Sequence, residues 1–174
     1  MGGSYCRELC QSSGVRISFL LRFRGPNIKA VFGQEVLGMI TAAQKSRLLQ
    51  AAREVLAKAY APYSRFRVGA ALLTEQGNLF AGANVENASY GLTLCAERAA
   101  VAAAVAAEGP GLKIRALAVV CDAPGACPPC GACRQVIQEF GPEAVVIYYG
   151  AEGLVQRPLE ELLPAGFLLP RERR

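Results

Sequence analysis

Apolar and polar positions alternate with a helical period from Thr41 onward. Leu48, Leu49, Ala52, Val55, Leu56 and Tyr60 recur three and four residues apart, as one buried helix face requires. Thr41 and Gln44 have the spacing of a capping box, in which each side chain accepts the other residue's backbone N–H. Pro62 is expected to end that helix. Val68–Thr74 and residues 78–85 are short apolar runs around Glu75-Gln76-Gly77-Asn78, which predicts a β-hairpin. Residues 95–108 are alanine-rich and helical in pattern, closed by Gly109-Pro110-Gly111. Beyond them lie an apolar run at 115–121, a breaker-rich loop at 125–129 and a helix at 131–140 ended by Gly141-Pro142. A second apolar run at 144–149 and a short fifth strand at 154–159 complete the pattern.

Two of these runs decide the fold class. Residues 115–121 and 144–149 are apolar without strict alternation and are separated by a helix, so they are expected to lie parallel with both faces covered. The prediction is an α/β protein: a three-layer α/β/α sandwich on a five-stranded mixed sheet, spanning residues 39–170. Residues 1–38 are expected to be a disordered extension, or the product of a start assigned upstream of Met39, and 171–174 a charged tail.

Composition narrows the function classes. A length of 174 residues suits one hydrophobic core, and 52% hydrophobic against 19% charged residues excludes a mostly disordered chain. The longest apolar run, residues 99–107, has nine members and is too short for a membrane span. The net charge of +5 sits at the ends: residues 1–38 carry five basic and two acidic side chains, 171–174 three and one, and 39–170 eleven of each. A neutral core offers no basic track for phosphates, so no nucleic-acid partner is expected. The chain has no histidine, which excludes Ser-His-Asp hydrolases, Cys-His proteases and every zinc site with an imidazole ligand. Acid/base chemistry near neutral pH then falls to a perturbed carboxylate or thiol.

Seven cysteines are present, four of them between 121 and 133. The stretch Ile17-Ser18-Phe19-Leu20-Leu21 is too short for a signal-peptide core, so a cytoplasmic location is expected, and crowded thiols there point to metal or redox chemistry. Cys95 opens the alanine-rich helix; Cys130 and Cys133 open the next one and, three apart, share a face. A helix N-terminus lowers a thiol pKa and stabilises thiolate ligands. Three thiolates on zinc leave a fourth position open, the mark of a catalytic site. Two other readings stay open on spacing alone: a Cys-x-x-Cys redox pair, with Cys127-Pro128-Pro129-Cys130 overlapping Cys130–Cys133, and a closed structural zinc with Cys121 or Cys127 as fourth ligand. Glu97, two positions after Cys95, is not brought to the metal by regular helical spacing.

The ordered segments Phe66-Arg67-Val68-Gly69-Ala70-Ala71-Leu72, Asn84-Val85-Glu86-Asn87, Cys95-Ala96-Glu97-Arg98, Pro129-Cys130-Gly131-Ala132-Cys133-Arg134-Gln135 and Glu161-Leu162-Leu163-Pro164 resemble the single-domain cytidine deaminases over roughly residues 41–168. The resemblance implies one Zn2+ per subunit on Cys95, Cys130 and Cys133, with Glu97 shuttling protons while a metal-activated water attacks C4 of cytosine. Arg98, with Gln135 as a further donor to sulfur, would offset the charge by which three thiolates exceed zinc. Substrate contacts are implied for Phe66 at the pyrimidine, Tyr90 in the loop leading to the zinc helix, Asn84 and Glu86 at the ribose, Ala96, and Phe167 reaching a neighbouring subunit's site in a homotetramer. The implied reaction is deamination of cytidine and deoxycytidine in pyrimidine salvage. The alternatives are a deaminase of a cytosine-bearing antibiotic such as blasticidin S, and a non-catalytic thiol or structural-zinc module.

Overall fold

Thr41 caps helix α1 (Ala42–Leu56) through the box read from the sequence: Gln44 N donates to Thr41 Oγ1 at 3.1 Å and Thr41 N to Gln44 Oε1 at 2.8 Å. The computed structural model of this chain describes residues 40–169, so the expectations for 1–38 and 171–174 lie outside the described residues. α1 stops at Leu56, well before Pro62. The reason lies in Tyr60, whose N–H donates to Asn84 O at 3.0 Å and whose carbonyl accepts Glu86 N at 2.8 Å. A backbone paired that way cannot also extend a helix.

Five strands follow: β1 (Val68–Thr74), β2 (Leu79–Ala83), β3 (Ile114–Cys121), β4 (Val145–Gly150) and β5 (Gly153–Pro158). They form one sheet in the order β2-β1-β3-β4-β5. β3 and β4 are parallel, and every other neighbouring pair is antiparallel, so the mixed sheet and the parallel pair stand as expected. Helices α2 (Ala96–Glu108) and α3 (Gly131–Phe140) connect the strands. The residues after β5 turn into a short helix, α4 (Leu159–Leu162), because Leu159 is fully buried and its N–H is held by Ala144 O at 2.9 Å.

Side chains of β1 alternate between the two faces of the sheet. Ala71 and Leu73 face α1 and join Leu48, Leu49, Ala52, Ala118 and Ile147 in one core. Ala70 and Leu72 face the other way and join Ala96, Ala100, Val101, Leu117, Ile137 and Leu159 in the second. Two cores on one sheet are the three layers. Each fully buried leucine stabilises the fold by about 1.5–3 kcal/mol relative to exposure, and Leu48, Leu72, Leu117 and Leu159 are all in that state. Among the described residues no helix is long and apolar enough to cross a membrane.

One glycine sets the height of α2 above the sheet. A Cβ on Gly82 of β2 would lie 2.4 Å from Ala100 N and 2.7 Å from Ala96 O. The opening turns of α2 therefore rest directly on strand backbone, with alanines facing it. At the other end of the helix, Glu108 Oε1 accepts Thr74 Oγ1 at 2.9 Å and Asn78 Nδ2 at 2.8 Å. The helix that begins at Cys95 is thus fixed against the hairpin at both ends.

Candidate metal centre

Cys95 and Cys130 are the N-caps of α2 and α3, both with extended backbone (φ −70°, ψ 152° and φ −67°, ψ 166°). Neither side chain makes a capping hydrogen bond; the sulfurs point elsewhere. Cys133 sits in the first turn of α3 and is completely buried. The three Sγ atoms lie within 4.8 Å of one another, the one such group of three potential ligands among the described residues. Zinc–sulfur bonds of about 2.3 Å in a tetrahedron set sulfurs roughly 3.8 Å apart, so the donor set fits that ion. Neither Cys121 nor Cys127 belongs to the group, which leaves the closed four-cysteine arrangement unformed. Cys127 is buried instead at the end of the 122–127 loop, and burial, followed by its hydrogen bond with the Cys121 thiol, pushes it up to about 12.

The electrostatics of the cluster favour one thiolate at once. Cys95 is lowered to about 5, first by the hydrogen bond from the Cys133 thiol and then by Arg98. Arg98 Nη2 donates to Cys95 Sγ at 3.4 Å and to Thr93 O at 3.0 Å. Cys133 is raised, chiefly because its proton is shared with Cys95 and then because it is buried. A dication supplies the charge that would hold all three as thiolates.

Glu97 is 5% exposed. Burial raises its pKa most, and the neighbouring Cys95 charge raises it further. Its place beside the sulfurs follows from the cap. Cys95 stands outside the helix with extended dihedrals, so the two residues are not two steps along regular helix and the spacing objection does not apply.

The structure gives several of the remaining predicted residues a local partner. Asn84 is buried; its Oδ1 accepts Val68 N and its Nδ2 donates to Phe66 O, both at 2.9 Å. Glu86 accepts Tyr63 N at 2.8 Å and Ser64 N at 3.2 Å, with a further short bond from the Ser64 hydroxyl, and these hold its carboxyl below the ordinary range. Tyr90 opens a single 3-10 turn (Tyr90–Leu92) and meets Tyr63 edge-on at 6.4 Å between ring centroids. Phe66, Tyr90 and Phe167 keep substantial exposed surface, while Ala96 is fully buried. Gln135 Nε2 donates to Phe167 O at 2.9 Å; its described bond goes to the tail and not to a cysteine sulfur.

Four residues that sequence reasoning left aside also shape this region. Tyr63 and Ser64 bind Glu86, and Arg134 ties Pro129 O to Leu162 O, each at 2.8 Å. Asp122 pairs with Arg67 across the mouth of β1 and β3. Only Arg134 carried a visible signal, its place beside Cys133; the other contacts join segments far apart in the chain.

Three grouped sulfurs that could hold a metal ion, with a buried carboxyl beside them, are the residue types of the three-cysteine zinc deaminases. The sequence profile of the family described as "Cytidine and deoxycytidylate deaminase zinc-binding region" matches residues 42–149, so the chain belongs to that family. A cytidine deaminase of Halalkalibacterium halodurans is 48% identical over 125 residues, covering 71% of this chain and 93% of that one. The crystal structure of a cytidine deaminase from Burkholderia pseudomallei superimposes with a TM-score of 0.65 at 46% identity, covering 74% of this chain and all of the other. A blasticidin-S deaminase of Bacillus cereus is more distant, 28% identical over 134 residues.

Proposed function

We propose that this protein hydrolyses the exocyclic amine of cytidine and deoxycytidine, giving uridine or deoxyuridine and ammonia, in pyrimidine salvage. The observation that carries the proposal is the buried Glu97 carboxyl beside a group of three sulfurs that could hold a metal ion. Zinc bound by Cys95, Cys130 and Cys133 would supply a Lewis acid that makes water acidic near neutral pH. Glu97 takes one proton of the attacking water and delivers it to N3 of the ring. It then takes the second from the hydroxyl added at C4 and passes it to the amine, which leaves as ammonia while C4 becomes a carbonyl. A carboxyl raised above its ordinary value can both accept and return a proton, which that cycle needs. Arg98 offsets the surplus negative charge at Cys95, and Gln135 steadies α3 from its far side.

Phe66 packs on the pyrimidine, and Ala96, buried in the core, backs the base pocket from the first turn of α2. Asn84 and Glu86 take the ribose hydroxyls. Their local hydrogen bonds leave one Asn84 N–H and spare lone pairs on both side chains. Such a ribose site favours a nucleoside over the antibiotic blasticidin S. Tyr90 and Phe167 are 77% and 65% exposed, and large aromatic surface beside a site suits a second copy of the chain. The functional unit is a cytoplasmic homotetramer with shared sites, each subunit contributing residues 39–170.

Ultraviolet monitoring of cytidine with the zinc-loaded protein tests the reading, a chelator-treated sample beside it. Loss of cytosine absorbance with uridine and ammonia appearing, abolished without zinc, is the expected result. Folded, zinc-loaded protein that turns over blasticidin S but neither nucleoside would overturn it. Sedimentation of the same sample as a monomer would remove the shared-site arrangement.

A further inference from the structure

Phe66 follows the one non-glycine residue with positive φ among the described residues, Arg65 at φ 58°. A left-handed conformation is costly for a side chain of that kind and persists only where the surroundings enforce it. On its N-terminal side the enforcement comes from Glu86, which gathers Tyr63 N, Ser64 N and the Ser64 hydroxyl; Ser64 Oγ in turn accepts Phe66 N at 3.0 Å. On its C-terminal side it comes from Asp122. Asp122 Oδ1 accepts Arg67 N at 3.0 Å, Oδ2 accepts Arg67 Nε at 2.6 Å, and Asp122 N donates to Arg67 O at 3.2 Å. Three bonds to one residue, on backbone and side chain together, fix the peptide on both sides of Arg67. The Asp122 side chain is 24% exposed, so the pair is partly shielded from water, and charge-assisted bonds of this geometry are stronger than neutral ones. Asp122 also begins the loop that runs from β3 to Cys130.

We propose that Asp122 is a positioning residue for nucleoside binding: through Arg67 it holds the Arg65–Phe66 turn in its left-handed form, and so sets the ring of Phe66 against the pyrimidine pocket. This rests on the reading of Phe66 as a substrate contact. Asp122 itself touches neither substrate nor metal ligands in this scheme; its described hydrogen bonds and ion pair go to Arg67. Its loss therefore weakens binding and leaves proton transfer intact.

The test is a double-mutant cycle on the zinc-loaded protein, with KM and kcat for cytidine as readouts and zinc content and Tm as folding controls. Asp122→Ala is expected to raise KM about fivefold or more with kcat within roughly twofold, and to add little once Phe66→Ala is present. Asp122→Asn, which keeps an acceptor for Arg67 N, is expected to fall between the two, and replaces Asp122→Ala in the cycle should that variant not fold. Full additivity with Phe66→Ala, or a loss confined to kcat, overturns the positioning role while leaving Phe66 as a contact. An unchanged KM for Phe66→Ala removes the contact itself, and the positioning role with it.

Discussion

Arg98 reaches back over the first turn of its own helix and donates through one nitrogen to both Cys95 Sγ, at 3.4 Å, and Thr93 O, at 3.0 Å. The carbonyl fixes the guanidinium where it faces the sulfur, so charge compensation at the metal site is built into α2. Arg98→Ala is expected to cost about 10–100-fold in zinc affinity or turnover, the usual scale for a group that orients or neutralises a ligand. Metal content after dialysis against a graded chelator checks it, with Arg98→Lys expected to recover part of the loss.

Glu97→Gln keeps the shape of the buried group and removes its proton affinity. Turnover of cytidine is expected to fall by roughly 10²–10⁴-fold or more, with bound zinc and Tm close to those of the parent protein. Retained activity in a zinc-loaded sample would assign proton transfer elsewhere.

Removing zinc should abolish deamination and raise thiol reactivity together. Without a cation, the three sulfurs share charge unequally, Cys95 being the thiol lowered to about 5. A single rapidly alkylated cysteine at mildly acid pH is the expected outcome, identified as Cys95 by peptide mapping and protected by zinc readdition.

Gly82→Ala places a methyl where Ala100 N stands 2.4 Å away. Backbone must move, and overpacking of this kind costs typically 1–3 kcal/mol. Since the displaced element is the start of α2, activity is expected to fall further than the Tm change alone accounts for, as measured by kcat at a temperature where both proteins are folded.

Acid should loosen the Tyr63–Arg67 turn only below the ordinary carboxylate range. Glu86 and Asp122 both lie below their ordinary values of 4.5 and 3.8, held there chiefly by Ser64 and by Arg67 respectively. A carboxyl depressed in the folded state stabilises it fully above its ordinary value and loses that contribution as pH falls through the lowered one. The stability gap between the parent protein and Glu86→Gln is therefore expected to be constant above about pH 5 and to close as pH falls below the ordinary carboxylate range, read from denaturant midpoints.

Much of the fold was legible because local rules and burial agree along most of the chain. Thr41 and Gln44 cap α1 whatever surrounds them, and the apolar runs around Leu117 and Val146 require cover on both faces, which fixes the parallel pair. The three cysteines and Glu97 were legible as residue types and as a resemblance, since a chain without histidine has few other means of acid/base or metal chemistry. Tertiary structure decided the rest. It ended α1 at Leu56, because Tyr60 pairs with the segment around Val85, far along the chain. It set Glu97 against the sulfurs through an extended cap, a dihedral choice that helical periodicity does not encode. It also joined Arg67 to Asp122 and Glu86 to the Tyr63–Ser64 turn. Such contacts form only when distant segments meet in space, and no local pattern of apolar and polar residues records them.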